Sequence, residues 1–302
     1  MNIPAYIGER ISLAPLTTFK VGGAARYLAR PANESEVEET LAFAKKHSLP
    51  VLVLGGGSNL LVADKGVEAL VVSLSAKEEF GVIEEEGDAV WRVGAAVPLA
   101  ALVAATVRLG RAGLAMMSGI PGRVGGAVAM NAGGTEAGMG DFVREALVYT
   151  LEGERRVYGP SELEFSYRHS NIAGMLALSF VMHFPDAEKP DQLENSAREF
   201  RERKKASQPL AVPSAGCVFK NPPNDSAGSL LDVSGCKGMA EGGARVSELH
   251  ANFIVVDGPA TSAGVARLAA RMRRKVLDET GIRLEPEVLF WGEDPSFDAL
   301  RG

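Results

Sequence analysis

The run Gly55-Gly56-Gly57-Ser58-Asn59 could bind an anion through its backbone. Glycines lack Cβ atoms, so successive peptide N–H groups can converge on a phosphate, and the Ser58 and Asn59 side chains add further donors. A tight turn between two strands is the alternative interpretation. Three consecutive glycines followed by Ser-Asn exceed what a turn requires, and the loop therefore predicts a site for a pyrophosphate.

A second glycine-dense segment runs from Ser118 through Gly126 to Gly134. Its peptide N–H groups could also converge on an anion, and its glycines would let the backbone lie flat against a planar ring. A close contact between a helix and a sheet would explain such a segment equally well. Both glycine-rich loops in one half of the chain favour a ligand more strongly than either loop alone.

Polar residues in three later segments could act on a substrate. Arg168 is predicted at the end of a strand, where its guanidinium fork suits a carboxylate, although a surface salt bridge is equally consistent. Cys217 lies in a predicted turn, and a cysteine taken by itself is more often a small buried side chain than a reactive one. Lys220 and Asn221 could bind phosphates or simply face solvent. Glu287 is predicted to face inward from an apolar run, where a carboxylate is costly unless it has a partner.

The elements that must position these residues alternate between strands and helices. Asn33 is predicted to cap a helix that ends at Leu49-Pro50, and the strand 51–54 leads directly into the first glycine-rich loop. Further strands are predicted at 69–74, 90–93, 252–256 and 285–290, and further helices at 98–109, 191–207, 229–233 and 262–280, the last closed by Gly281. We therefore expect an α+β fold.

The residues after the first loop exclude one common fold. Leu60-Leu61-Val62 follows Asn59 directly, and no helix fits before the next predicted strand. The fingerprint of NAD enzymes needs its third glycine inside a helix that opens immediately after the loop. The ordinary NAD-binding fold is therefore disfavoured.

The bulk composition excludes several classes of protein. The length of 302 residues allows about two domains, and the formal charge of −6 argues against a nucleic-acid partner, because clustered Lys and Arg hold phosphate backbones. Glu9 and Arg10 interrupt any apolar signal segment, and the weakly polar stretch 94–107 is too short to span a bilayer. We therefore expect a cytoplasmic protein without membrane insertion, with two free cysteines and no metal site.

Seven blocks of the sequence together resemble one enzyme family. They are TTFKVGG at 17–23, the GGGSN loop, SGIPGRVGGAVAMNAG at 118–133, FSYRHS at 165–170, GCVFKNP at 216–222, GGARVSELHANFIV at 242–255 and LEPEV at 284–288. These blocks resemble motifs of the UDP-N-acetylenolpyruvoylglucosamine reductase (MurB) family of peptidoglycan synthesis, and they occur in the same order as in that family. The compact length is similar to the shorter form of that family, type II, which lacks an extra tyrosine-bearing substrate loop.

The resemblance implies a fold and a domain organisation. It implies a two-lobed FAD-binding domain of the vanillyl-alcohol-oxidase (PCMH) type, followed by a C-terminal α+β substrate-binding domain. The first lobe would comprise 1–66 together with the tail 290–302, the second lobe 67–207, and the substrate domain 208–289.

The resemblance also implies the cofactors and the site. FAD would be non-covalent, because neither glycine-rich loop contains His or Cys, and NADPH would be the hydride donor. Three substrate contacts are implied at Tyr167, Lys220 and Asn221. The FAD-binding residues would be Gly55, Gly56, Gly57, Ser58, Asn59, Ser118, Gly119, Ile120, Pro121, Gly122, Gly125, Gly126, Ala127 and Asn131.

The implied reaction adds a hydride at C3 and a proton at C2 of an enolpyruvyl ether, UDP-N-acetylglucosamine enolpyruvate. Arg168 and Glu287 match the family's active-site arginine and glutamate, and would stabilise negative charge on the substrate carboxylate. Cys217 matches the family's proton donor, a position that serine usually occupies. A thiol, with a reference pKa of about 8.5, is a stronger acid than a serine hydroxyl. We expect a monomer. Two alternatives to the reductase function stay open: an oxidase of hydroxy acids or sugars on the same fold, and a flavin-binding module without catalysis.

Overall fold

A computed structural model describes residues 3–87, 89–134, 137–185 and 189–301. The chain divides into two compact units. The first unit comprises Met1–Glu9, Tyr27–Gly56 and Ala69–Arg203, and the second comprises Arg10–Arg26, Gly57–Glu68 and Lys204–Gly302. The division therefore falls within the GGGSN loop, between Gly56 and Gly57.

The described residues form an α+β fold. The strands are β1 (Ile7–Ser12), β2 (Ala24–Ala29), β3 (Val51–Val53), β4 (Leu60–Val62), β5 (Val67–Val72), β6 (Ile83–Gly87), β7 (Val90–Gly94), β8 (Val143–Tyr149), β9 (Arg155–Tyr158), β10 (Phe165–Ser166), β11 (His169–Ser170), β12 (Leu176–His183), β13 (Ala240–Glu241), β14 (Ala244–Val246), β15 (Ile254–Val256) and β16 (Leu289–Trp291). The helices are α1 (Glu34–Lys46), α2 (Leu99–Arg108), α3 (Val124–Ala129), α4 (Pro190–Ser207), α5 (Ala227–Val233), α6 (Ser262–Thr280) and α7 (Pro295–Arg301). None of the helices in this part of the chain combines the length and the apolar character needed to cross a bilayer.

A five-stranded sheet of order β6-β7-β12-β8-β9 forms the centre of the first unit. The burial of β12 alternates residue by residue, as expected for a strand with one face on a core. Aromatic side chains fill that core, and the rings of Trp91 and Phe184 meet edge to face with their centroids 5.4 Å apart. The sheet thus supplies a rigid support for the loops that follow its strands.

Helix α1 begins as the sequence predicted. The Asn33 side chain accepts a hydrogen bond from the backbone N–H of Glu36 at 3.0 Å, which satisfies one of the open donors of the first turn. The buried Tyr149 hydroxyl lies 2.8 and 2.9 Å from carboxylate oxygens of Glu34 and Glu38, and the proton that it shares between them ties the helix to β8. The cap and the tyrosine together fix the helix that precedes β3.

The second unit contains a three-stranded antiparallel sheet, β13-β14-β15, packed against α6. Both carboxylate oxygens of Asp64 accept backbone N–H groups at the start of α6, from Ser262 at 2.8 Å and from Ala263 at 3.1 Å. Gly281 ends the helix with φ 73°, which confirms the predicted stop. Strand β16 pairs in parallel with β4, in the register Leu289 opposite Leu60.

The four-stranded sheet has the order β1-β2-β5-β3. Its first two strands were not among the elements predicted from the sequence. β3 pairs in parallel with β5, with Val51 opposite Leu70. This pairing fixes the direction in which the chain enters the GGGSN loop.

The structure differs from the sequence prediction at one strand and at one helix. The strand predicted at 285–290 is regular only at Leu289–Trp291, because Pro286 lacks the N–H needed for a continuous ladder and makes only an isolated bridge to Phe219. The segment 118–134 contains the unpredicted helix α3, where packing overrides the low helix propensity of Gly125 and Gly126. The division into 1–66 with 290–302, 67–207 and 208–289 stays a prediction.

Candidate active site

Within the first unit, the first two glycines of the GGGSN loop lie against the second glycine-rich segment. A Cβ atom built on Gly56 would lie 2.6 Å from the Cα atom of Gly122, a distance that real Cβ atoms do not adopt. Gly56 is therefore needed for the close approach of two backbones. In the second unit Gly57 has φ 63°, and its own Cβ would overlap the carbonyl oxygen of Leu16.

Packing does not explain two other glycines of these segments. Among the residues that the structure describes, a Cβ on Gly55 would meet only ordinary contacts, the nearest being the Cα of Gly126 at 3.8 Å, and a Cβ on Gly126 would meet nothing within 4 Å outside the backbone of its own helix. Neither residue has the positive φ that favours glycine. The space beside Gly55 and Gly126 is where a bound group could approach the backbone closely, so these residues fit a flavin dinucleotide.

Several amides of the segment 118–127 are already bonded to the protein. Val124 donates to the Val97 carbonyl and Gly125 to the Ala95 carbonyl, each at 2.9 Å. These bonds attach the start of α3 to the chain leading from β7 into α2. A ligand would therefore meet fewer donors here than the number of glycines suggests.

The predicted substrate residues Tyr167 and Arg168 form the two-residue turn between β10 and β11. Arg168 has φ 56°, a left-handed conformation that is uncommon for an arginine and that marks many functional turns. Its guanidinium carbon lies 5.0 Å from the centroid of the Tyr167 ring, and Nη1 donates to the Gly133 carbonyl at 3.4 Å. The structure thus places Arg168 at the tip of a short hairpin, beside the second glycine-rich segment.

Asn131 attaches this hairpin to the end of α3. Its Nδ2 donates to the Ser166 carbonyl at 3.0 Å, and its Oδ1 accepts from the Gly140 amide at 2.9 Å. Ser170 Oγ adds a bond to the Ala129 carbonyl at 2.8 Å. Asn131, predicted as an FAD-binding residue, therefore has an evident role in holding the Arg168 hairpin.

In the second unit, a ladder of backbone bonds brings the segments of Cys217 and Glu287 side by side. Val218 donates to the Asn252 carbonyl at 2.9 Å, and the Glu287 amide donates to the Val218 carbonyl at 2.8 Å. Lys220 continues the ladder by donating to the Glu285 carbonyl at 2.8 Å. Both Cys217 and Glu287 are partly exposed, as residues that meet a ligand must be.

Asn252 clamps the segment that carries Cys217, a contact that sequence reasoning missed. Its side chain is 1% exposed; Oδ1 accepts the Phe219 amide at 3.0 Å, and Nδ2 donates to the Phe219 carbonyl at 2.8 Å. The HANF motif at 250–253 was a possible signal, since a buried asparagine must find partners for both ends of its amide. The partner, however, lies 33 residues earlier in the chain.

The last residue of the GGGSN loop contacts the active-site glutamate predicted from the sequence. Asn59 Nδ2 donates to the Glu287 carbonyl at 2.9 Å, and the Asn59 carbonyl accepts the Leu289 amide at 3.1 Å. Three predicted site residues, Asn59, Cys217 and Glu287, are therefore brought together within one unit.

The predicted substrate residues Lys220 and Asn221 already have partners in the protein. Lys220 Nζ lies 3.8 Å from a carboxylate oxygen of Glu285. Asn221 Oδ1 accepts the amide of Ala227 at the start of α5, at 3.0 Å. These contacts hold both residues at the end of the Cys217 ladder.

His250 lies at the start of the HANF motif in an environment that favours its neutral form. Burial and the nearby Lys237 cation lower the pKa of this imidazole below its usual value. The Asn252 amide donates to Nδ1 at 3.2 Å, which requires an unprotonated nitrogen there. Within the described part of the chain, no cluster of three or more His, Cys, Asp or Glu side chains could hold a metal ion.

The glycine-lined space and the fold define an FAD-binding oxidoreductase. Residues 25–158 match the family model for an FAD binding domain. Residues 208–291 match the model for the C-terminal domain of UDP-N-acetylenolpyruvoylglucosamine reductase. The two models cover most of the two units and separate the flavin-binding part from the part that contains Cys217 and Glu287.

Full-length relatives identify the family. UDP-N-acetylenolpyruvoylglucosamine reductase 2 of Symbiobacterium thermophilum is 42% identical over 97% of this chain and 95% of its own length. The reductase of Moorella thermoacetica is 42% identical over 92% of this chain and 90% of its own. The crystal structure of the Thermus caldophilus reductase (MurB) superposes with a TM-score of 0.81 at 36% identity, covering 94% of this chain and 98% of that one. The chain belongs to the UDP-N-acetylenolpyruvoylglucosamine reductase family.

Proposed function

We propose that this chain reduces UDP-N-acetylglucosamine enolpyruvate to UDP-N-acetylmuramate with electrons from NADPH. The observation that supports the assignment of the site is the 2.8 Å bond from the Glu287 amide to the Val218 carbonyl, which brings the backbone of Glu287 beside the segment that carries Cys217. Family membership favours this reaction over an oxidase or a non-catalytic flavin-binding module.

Non-covalent FAD is held, in this proposal, by the two glycine-rich segments. The backbone at Gly55 and Gly126 is open to close approach by the cofactor. When bound, FAD would supply hydride transfer between NADPH and the substrate. The protein's own contribution is to orient the substrate and to supply a proton.

Arg168 and Glu287 act on the carboxylate of the enolpyruvyl group. The guanidinium of Arg168 offers two parallel N–H donors, which match a carboxylate. Addition of hydride at C3 moves the electron pair of the C2–C3 double bond onto the carboxylate as an enolate. Arg168 stabilises that charge by hydrogen bonds that are stronger in the transition state than in the ground state, and Glu287 does so in its protonated form, because an ionised carboxylate has no proton to donate.

Cys217 completes the reaction by giving its Sγ proton to C2. The C2–H bond forms as the S–H bond breaks, and solvent later returns a proton to the sulfur. The substrate gains two electrons and two hydrogens overall, and NADPH loses a hydride. A thiol has a reference pKa of about 8.5, far below that of a serine hydroxyl, so cysteine can fill the donor position that serine usually holds.

Lys220, Asn221 and Tyr167 are proposed to contact the rest of the substrate. Lys220 and Asn221 follow the Cys217 segment directly, and their ammonium and amide groups suit a diphosphate. The predicted monomeric state and cytoplasmic location also belong to this proposal, and sedimentation of the purified protein tests the former.

The test is a coupled absorbance measurement on the flavin-loaded protein. NADPH should bleach the flavin in the absence of oxygen, and UDP-N-acetylglucosamine enolpyruvate should restore its colour while UDP-N-acetylmuramate forms. Colour that returns with oxygen but not with this substrate would identify an oxidase instead. If NADPH does not bleach the flavin, the protein would be a flavin-binding module without this catalytic activity.

A further inference from the structure

The Asn59 side chain holds the backbone on which Glu287 is mounted. Its Nδ2 donates to the Glu287 carbonyl at 2.9 Å, across a sequence separation of 228 residues. The Asn59 carbonyl accepts the Leu289 amide at 3.1 Å, so that Asn59 contacts the peptide groups before and after Val288. One residue of the GGGSN loop therefore binds the end of the LEPEV motif at two points.

Both peptide groups that flank the Glu287 Cα are fixed by this arrangement. On one side, the Glu287 amide donates to the Val218 carbonyl at 2.8 Å. On the other side, the Glu287 carbonyl accepts from Asn59. With both neighbouring peptide planes held, the direction of the Cα–Cβ bond of Glu287 is set, and so is the origin of its carboxyl group.

Asparagine is suited to this position because its short side chain carries an N–H donor that reaches the Glu287 carbonyl. Aspartate has nearly the same shape, but it would place a carboxylate oxygen against the Glu287 carbonyl. Asn59 is itself well placed, since Gly57 before it is anchored by the Thr18 amide at 3.0 Å and β4 begins directly after it.

We propose that Asn59 is a positioning residue for Glu287 in the reduction of the enolpyruvyl group, a role that rests on the proposed function of Glu287. The Asn59 side chain acts through Glu287, whereas the sequence predicted it as an FAD-binding residue. The two roles differ in what they affect. A flavin ligand supports both halves of the catalytic cycle, while a positioning residue for Glu287 supports only the half in which the substrate is reduced.

The experiment measures the two half-reactions separately by stopped flow in flavin-loaded Asn59→Ala and Asn59→Asp proteins. Flavin reduction by NADPH should stay within about threefold of wild type, and the dissociation constant for FAD, measured by flavin fluorescence, should do the same. Flavin reoxidation by the enolpyruvyl substrate should slow about 20-fold in both variants, as expected for a lost coupling between neighbouring groups.

A double-mutant cycle with Glu287→Ala gives the deciding result, because alanine removes the carboxyl and every hydrogen bond that it makes. If Asn59 acts through Glu287, adding Asn59→Ala to Glu287→Ala should slow reoxidation by less than about threefold further. Independent, multiplicative losses would overturn the proposal, as would FAD affinity that falls together with both half-reactions. Normal reoxidation in Glu287→Ala alone would instead refute the role given to Glu287 in the proposed function. The near-isosteric Asn59→Asp keeps the test decisive if Asn59→Ala does not fold.

Discussion

Gly56 and Gly122 approach so closely that a Cβ on Gly56 would lie 2.6 Å from the Cα of Gly122. Within the first unit, this contact joins the start of the GGGSN loop to the second glycine-rich segment without any side chain between the two backbones. The glycines of these segments therefore have two different roles. Packing requires glycine at position 56, whereas the space beside Gly126 could accommodate a Cβ atom. The two uses predict different consequences of substitution.

Gly126→Ala should weaken FAD binding without weakening the fold. Alanine is favoured over glycine in a helix by up to about 1 kcal/mol, and its Cβ meets no atom of the described residues within 4 Å outside its own helix backbone, so the flavin-free protein should be as stable as wild type or more stable. The added methyl should raise the dissociation constant for FAD about tenfold or more, because it occupies the ligand's space. Flavin fluorescence titration and urea unfolding measure the two quantities. Gly159→Ala is the matched control, since its Cβ would meet only Glu162 at 3.8 Å and should change neither.

Cys217→Ala and Cys217→Ser should have different effects on the second half-reaction. The alanine variant has no proton to give to C2, and we expect flavin reoxidation by substrate to slow by about 10²–10⁴-fold, the usual contribution of a general acid. The serine variant should keep substantial activity. Flavin reduction by NADPH should be unchanged in both, as measured by stopped flow. Equal loss of both half-reactions in the alanine variant would remove Cys217 from the donor role.

Arg168→Lys should impair catalysis although the charge is kept. Lysine cannot make the two parallel bonds of a guanidinium, and kcat/KM for the enolpyruvyl substrate should fall about 100-fold. Arg155→Lys is the control, because Arg155 makes a partly exposed ion pair with Glu34 at 2.7 Å and should change kcat/KM little. Equal activities of the two variants would argue against a carboxylate at Arg168.

Asn252→Leu should destabilise the protein by about 2–4 kcal/mol. The substitution leaves the buried amide and carbonyl of Phe219 without the partners that Asn252 supplies at 3.0 and 2.8 Å, and each such group costs about 1–3 kcal/mol. Urea unfolding measures the loss. Asn195→Leu on the exposed surface of α4 should stay within about 0.5 kcal/mol. If Asn252→Leu also changed the free energy of unfolding by less than about 0.5 kcal/mol, the two hydrogen bonds of Asn252 would contribute nothing measurable to stability.

His250 should make the free energy of unfolding depend on pH. Its pKa is lowered in the folded state, so the unfolded chain binds the proton more readily and stability is lost as the pH falls below about 6.5. His250→Gln removes this titration, and its unfolding free energy should fall less than that of wild type between pH 7.5 and pH 5. Parallel pH profiles for the two proteins, measured by urea unfolding, would contradict the lowered pKa.

The sequence predicts best the features that depend on neighbours along the chain. The Asn33 cap and the Gly281 stop were predicted because the groups they satisfy lie within four residues. The exclusion of an NAD fold is also confirmed, since Leu60 opens β4 where a helix would be required. The resemblance of ordered motifs then supplied the family, which neither propensity nor periodicity could reveal.

The contacts that join the site residues could not be predicted from local pattern. The Asn252 clamp and the bond from Asn59 to Glu287 connect residues 33 and 228 positions apart, and the type of residue does not reveal its partner. Asn131 shows the same limit, because its type did not reveal that its amide joins the Ser166 carbonyl to the Gly140 amide, and its role in binding FAD stays a prediction. The roles of Arg168, Cys217 and Glu287 stay predictions that the variants above can decide.

The parallel pairing of β4 with β16 has a consequence for the order of events during synthesis. Leu60–Val62 leaves the ribosome early, but its partner Leu289–Trp291 is translated after more than two hundred further residues. At about 5–20 residues per second, β4 waits roughly ten to fifty seconds for its partner strand. A nascent chain stalled before residue 289 should therefore leave Leu60–Val62 unpaired, and the bonds between Asn59 and the backbone of Glu287 and Leu289 are expected to form only near the end of translation.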